Sequence, residues 1–108
     1  MSSLFKKTRA VKIDEKEYIM AFDMKSVVMF QEITGKTFTN AIPELFAGVD
    51  FIILGFLGAT LRPKNKPKEP VGKAIFKEFD ILGLLMNQGN DVAALIAESL
   101  PKSNTKKQ

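Results

Sequence analysis

The chain has 108 residues, 45% hydrophobic and 26% charged, which is enough for one domain around a single core and too little for two of ordinary size. It contains no Cys and no His, which excludes disulfide scaffolds, thiolate nucleophiles, Cys/His metal sites and imidazole acid/base catalysis. The net charge of +4 is segregated: residues 1–12 carry +4, 61–70 carry +3 and 101–108 carry +3, so the remainder is acidic at −6. Nine Phe, one Tyr and no Trp supply large apolar area with almost no polar handle, suited to a core or an apolar contact surface.

The first residues, Met1-Ser-Ser-Leu-Phe-Lys-Lys, place no apolar run behind their basic pair, so a signal peptide is not expected and a cytosolic location is. Residues 1–9 read as a basic arm, 10–101 as one hairpin-plus-helices domain, and 102–108 as a disordered basic tail. Ala10 to Ile13 alternates, Asp14-Glu15-Lys16-Glu17 supplies a polar turn, and Tyr18 to Phe22 resumes a strand-compatible run, which predicts a β-hairpin over 10–22. Two strands alone are marginal in water, so the hairpin must pack on the helices that follow. Asp23 reads as an N-cap and Gly35 as a left-handed stop, bracketing a helix over 24–34 with Met24, Val27, Val28, Phe30 and Ile33 at helical spacing.

Thr39 or Asn40 then caps a short helix carrying Ile42, Leu45 and Phe46, with Pro43 in its first turn and Gly48 at its end. After Asp50 comes Phe51 to Leu61, eleven residues apolar on nearly every side and too short for a membrane span, which takes roughly 20. A helix of this kind is either central to the core or shared with another chain; Gly55 and Gly58 would let a second helix approach closely. Phe46, Phe51, Leu54, Gly55, Phe56 and Gly58 are therefore the candidate partner or self-association residues.

Arg62 to Pro70 has three Pro, four cations and no apolar side chain, and is expected as an exposed, mobile loop. Ala74, Ile75, Phe76 and Phe79 resume helical spacing. Further helices are predicted from near Asp80 to Gly89 and from Asn90 or Asp91 to Leu100, where Pro101 ends the last. The fold class is mainly α: an N-terminal β-hairpin packed on a bundle of about four to five short helices.

No constellation carries chemistry. Neither a P-loop nor a G-x-G-x-x-G follows a strand, so no phosphate cradle is expected. Asp14, Glu15 and Glu17 lie on a turn where carboxylates are solvated, and N-capping accounts for Asp23, Asp50, Asp80 and Asp91. No catalytic, metal or cofactor residue is assigned. Arg62, Lys64, Lys66 and Lys68 are the candidate contacts for a polyanion. No aromatic is interleaved with them and no recognition helix is basic, so the pattern disfavours nucleic acid.

Phe22-Asp-Met-Lys-Ser-Val-Val-Met-Phe-Gln-Glu-Ile-Thr-Gly-Lys-Thr-Phe38, after a short hairpin, resembles the tail assembly chaperones of long-tailed bacteriophages and prophages of Gram-positive bacteria. Asp80 to Asn87 and Asp91 to Pro101 are similar to that family's two closing helices, whereas 62–79 departs from its more acidic pattern. The resemblance implies a non-catalytic protein of the host cytoplasm, absent from the mature virion. It would bind the tape-measure protein, keep it soluble and help tail-tube protein polymerise around it. Surplus Phe and Met fit adaptable apolar contact, and self-association into a homo-oligomer is expected. The alternative function is a small basic nucleic-acid-binding or surface-binding accessory protein.

Overall fold

A computed structural model describes residues 7–99. Strands β1 (Lys7–Ile13) and β2 (Lys16–Phe22) form the hairpin, followed by helices α1 (Met24–Thr34), α2 (Phe38–Ala47) and α3 (Asp50–Thr60). A short strand β3 (Leu61–Pro63), a 3₁₀ segment (Gly72–Phe76), α4 (Ile81–Asn87) and α5 (Gly89–Ser99) complete the order. The mainly helical architecture with an N-terminal hairpin is the one the sequence predicts. Lys7 to Arg9, read from composition as part of an arm, belong to β1, and the tail 102–108 lies outside the described residues.

The hairpin turn is tighter than the four polar residues imply. Only Asp14 and Glu15 form it, with φ of 50° and 68°, and Ile13 pairs directly with Lys16. Two consecutive left-handed residues give the turn a twist that matches the strands it joins. Val11, Ile13 and Met20 turn inward to the core, where α5 packs on the hairpin. Arg9 on β1 pairs with Asp91 at 3.1 Å and with Glu98 at 3.7 Å on that helix.

Helix α1 begins with a capping box in which the Asp23 carboxylate accepts from the Ser26 N–H at 3.1 Å and Ser26 Oγ accepts from the Asp23 N–H at 3.2 Å. It ends at Gly35, φ 77°, as predicted. Of the four aspartates read as caps, Asp23 alone caps with its side chain. Asp80 occupies an N-cap position without a side-chain bond, and Asp50 and Asp91 lie inside the first turns of α3 and α5, where their charge complements the helix dipole. Helix α2 starts before Thr39, at Phe38, which puts Pro43 in its sixth position instead of its first turn. The carbonyl of Thr39 thereby loses its helical donor, and both residues are exposed, so the cost of the missing bond is small.

The third strand has no counterpart in the sequence reading. β3 adds antiparallel to β2, with Tyr18 opposite Pro63, Ile19 opposite Arg62 and Met20 opposite Leu61, in the sheet order β1-β2-β3. Its Pro63 sits on an edge strand, the place in a sheet where a missing N–H is tolerated. The 3₁₀ segment replaces the α-helix expected around Ala74–Phe79.

Helix α3 is the central element, buried from Leu54 through Thr60, and it contacts α1, α2, α4, α5, β2 and the 3₁₀ segment. Phe22, Phe30, Phe38 and Phe56, one from each of β2, α1, α2 and α3, form an aromatic cluster with centroids 4.9–5.8 Å apart. Four of the nine Phe are therefore spent on joining the four elements.

Candidate partner-binding surface

The six apolar residues singled out in 46–58 divide into two sets. Leu54, Gly55, Phe56 and Gly58 are buried, and the close approach that the glycines permit is made within the chain. A side chain at Gly55 would run into Thr34 of α1, and a Cβ at Gly58 would lie 2.6 Å from the Gly72 carbonyl oxygen. All four are unavailable to a second chain: α1 and the 3₁₀ segment occupy the surface of the two glycines, and Phe56 packs on Phe22 and Phe38. Phe46 and Phe51 are exposed.

Local structure explains both exposures. The core-facing residues of α2 are Phe38, Ala41 and Leu45, spaced three and four apart, so Phe46 falls off that stripe and is 63% exposed. Gly48, φ 81°, then reverses the chain, and Val49 and Phe51 emerge at the start of α3. The Phe51 ring lies against Phe76 with centroids 5.8 Å apart, which fixes it without burying it. Phe46, Val49 and Phe51 form an apolar corner between α2 and α3.

Two further exposed apolar pairs each contain one of the methionines that suit apolar partner contact, Met24 and Met86, while Val28 and Leu82 carried no signal beyond ordinary helical spacing. On α1, Met24 is 72% exposed and Val28 54%. They face a shallow groove of about 570 Å³ lined also by Lys25, Met29, Glu69 and Pro70. On α4, Leu82 and Met86 are likewise exposed, four residues apart on the side away from buried Leu84.

No protein-family model, curated protein or solved structure matches the chain.

The four loop cations do not form one surface. Arg62, expected in a solvated loop, is 3% exposed: its side chain is inserted between β3 and the start of α1. Its Nη1 donates to Asp23 Oδ2 at 3.1 Å and the Pro67 carbonyl at 3.2 Å, and its Nη2 donates to Asp23 Oδ1 at 2.8 Å and Ser26 Oγ at 2.9 Å. Burial pushes the Asp23 carboxyl up, but the Arg62 guanidinium and the Ser26 N–H together outweigh it and hold the group below its usual value. Arg62 is thus a structural clamp. Lys64 pairs with Glu17 at 2.8 Å, which raises the lysine and lowers the glutamate through their hydrogen bond and mutual charge. Lys66 and Lys68 remain exposed on the loop.

That loop is tied at several points. Lys66 N–H donates to the Pro63 carbonyl and Glu69 N–H to the Lys66 carbonyl, forming successive turns. Lys25 Nζ donates to the Lys68 carbonyl at 3.1 Å, which draws the loop against α1. Among the described residues no group of three or more His, Cys, Asp or Glu is placed to hold a metal ion, and no helix is long and apolar enough to cross a membrane.

Proposed function

We propose that the chain is a tail assembly chaperone, a non-catalytic protein that covers apolar surface on a tape-measure protein until tail-tube subunits replace it. The observation that carries this reading is the exposure of seven large apolar side chains, Met24, Val28, Phe46, Val49, Phe51, Leu82 and Met86, outside a core that is already closed. They fall in three patches, on α1, at the α2–α3 corner and on α4; exposed apolar patches on a small domain mark partner sites, and methionines adapt such a surface to varied shapes. The resemblance of residues 22–38 to the chaperone family points the same way. On this reading the protein acts in the host cytoplasm, is absent from the mature virion, and self-associates when its partner is missing.

Co-expression of the full chain with the tape-measure protein encoded beside it tests the proposal. The tape-measure protein should stay in the soluble fraction and co-purify with the chain, and Phe46→Ser with Phe51→Ser should reduce that recovery. Equal recovery of soluble tape-measure protein without the chain would refute it. Burial of Arg62 and pairing of Lys64 take two of the four loop cations out of a common polyanion-binding surface, which weighs against the nucleic-acid alternative.

A further inference from the structure

The two-residue turn of the hairpin sets the direction of the backbone groups along β1. Across such a turn Ile13 and Lys16 exchange both hydrogen bonds, so Val11 and Arg9 also bond to β2, and the N–H and C=O of Lys12, Ala10 and Thr8 point away from it. The far side of β2 agrees. The Glu17 carbonyl accepts from the Lys64 N–H beyond β3, so Lys12, opposite Glu17 in the hairpin, faces outward.

The two edges of the sheet therefore differ. On β3 the Val71 N–H donates to the Leu61 carbonyl at 2.8 Å, the Lys66 N–H donates to the Pro63 carbonyl at 2.9 Å, and Pro63 has no N–H to offer. On β1, Thr8, Ala10 and Lys12 are exposed, and among the described residues no hydrogen bond reaches their outward backbone groups. The strand pairs with β2 without a break from Lys7 to Ile13 and contains no proline. Natural edges are ordinarily blunted, as β3 is; β1 keeps three pairing positions open.

We infer that β1 pairs antiparallel with β1 of a second copy about a two-fold axis at Ala10, joining two three-stranded sheets into one of six strands. Closure selects this occupant. The joined sheet ends in a covered β3 on both sides, whereas a single added peptide strand would present a new open edge of its own. Alternation and charge select the register. Outward residues bond only to outward residues, and an axis at Ala10 is the symmetric register that engages all three, with Ala10 opposite Ala10 and Thr8 opposite Lys12 in both directions. An axis at Arg9 would oppose two arginines and one at Lys12 two lysines, and like charges directly opposite repel. With the axis at Ala10 each Arg9 meets a Val11, and Arg9 already has Asp91 and Glu98 of α5 as counterions. None of the seven exposed apolar residues lies on β1, so pairing leaves them open to a partner. The pairing deepens the chaperone proposal by giving its self-association a surface, and rests on that proposal for its use.

Sedimentation velocity of the full chain over a range of concentrations should show a reversible monomer–dimer equilibrium. Ala10→Pro removes an N–H that the hairpin does not use, so circular dichroism should show a folded chain while the dimer dissociation constant rises about tenfold or more. Thr8→Glu sets a carboxylate opposite each Lys12 and should tighten the dimer about threefold, and Thr8→Lys should loosen it by a similar factor. This second pair reads the register and decides the matter if Ala10→Pro does not fold. Phe46→Ser with Phe51→Ser should leave the equilibrium unchanged. A chain monomeric at every concentration, a dimer indifferent to a folded Ala10→Pro, equal effects of the two Thr8 changes, or dissociation on changing Phe46 and Phe51 overturns the inference. Dimerisation as described without tape-measure recovery would remove the chaperone reading alone, and recovery by a monomeric chain would remove the pairing alone.

Discussion

Replacing Asp23 by Asn should destabilise the protein far more than replacing its partner Arg62 by Met, although both changes break the same ion pair. The Arg62 side chain is 4% exposed and that of Asp23 32%. Asn keeps the shape and the capping oxygen at residue 23, so α1 retains its N-cap. It removes the countercharge and the Oδ2 acceptor of Nη1, leaving the guanidinium buried against neutral acceptors only, the side-chain oxygen of residue 23, the Pro67 carbonyl and Ser26 Oγ, and with Nε already lacking one among the described residues. An uncompensated buried charge of this kind costs about 3 kcal/mol. Arg62→Met removes that charge and fills similar volume. Asp23 then turns to water and still caps Ser26, and Ser26 Oγ still donates to the Ala21 carbonyl at 2.8 Å, for a net loss near 1 kcal/mol. Urea unfolding followed by circular dichroism at pH 7 measures both. At about 4–8 °C per kcal/mol for a domain of this size, the melting temperatures of the two variants should differ by roughly 8–16 °C. The double variant should match Arg62→Met alone, since no orphaned charge remains. Equal losses, or a larger loss for Arg62→Met, would refute the argument from unequal burial.

Acid should reveal the same pair. Because the folded-state value of Asp23 is lowered, its stabilisation is fully present above the unfolded value of about 3.9 and disappears as pH falls through the lower folded value. Asp23→Asn should accordingly flatten the loss of stability below pH 4, and an unchanged acid profile would count against the linkage. Gly58→Ala drives a Cβ to 2.6 Å from the Gly72 carbonyl oxygen and 3.0 Å from Ile33 Cδ1. It should cost about 1–3 kcal/mol despite alanine's better helix propensity, whereas Gly89→Ala, with open space around it, should cost nothing measurable by thermal melting. Glu15→Gly relieves a left-handed backbone at φ 68° and should raise stability by about 0.5 kcal/mol; a lower melting temperature would contradict the turn geometry.

Local signals were legible where the interacting groups lie close in sequence. Asp23, Ser26 and Gly35 bracket α1 within a dozen positions, and its bounds follow from them. The all-apolar stretch in α3 announced a helix needing cover on every side, and from Leu54 onward the structure supplies that cover from within the chain. What composition concealed was Arg62. Averaged with the prolines and lysines behind it, it read as solvated loop, because its partner Asp23 lies 39 positions away. β3 was hidden for the same reason: three residues carry no period, and the register that makes them a strand belongs to β2.

The sequence by itself determined the helical class, the hairpin, the caps of α1, and the exclusion of Cys and His chemistry, since each depends on residue type or short-range spacing. Tertiary structure alone decided which apolar residues stay outside. Exposure depends on which helix face finds a neighbour, and Phe46 and Phe56, alike in sequence, end at 63% and 1% exposed because α3 is covered on all sides from Leu54 onward and α2 on one. The same packing turned one of four basic loop residues into a buried clamp, paired a second with Glu17 of β2 and left Lys66 and Lys68 exposed.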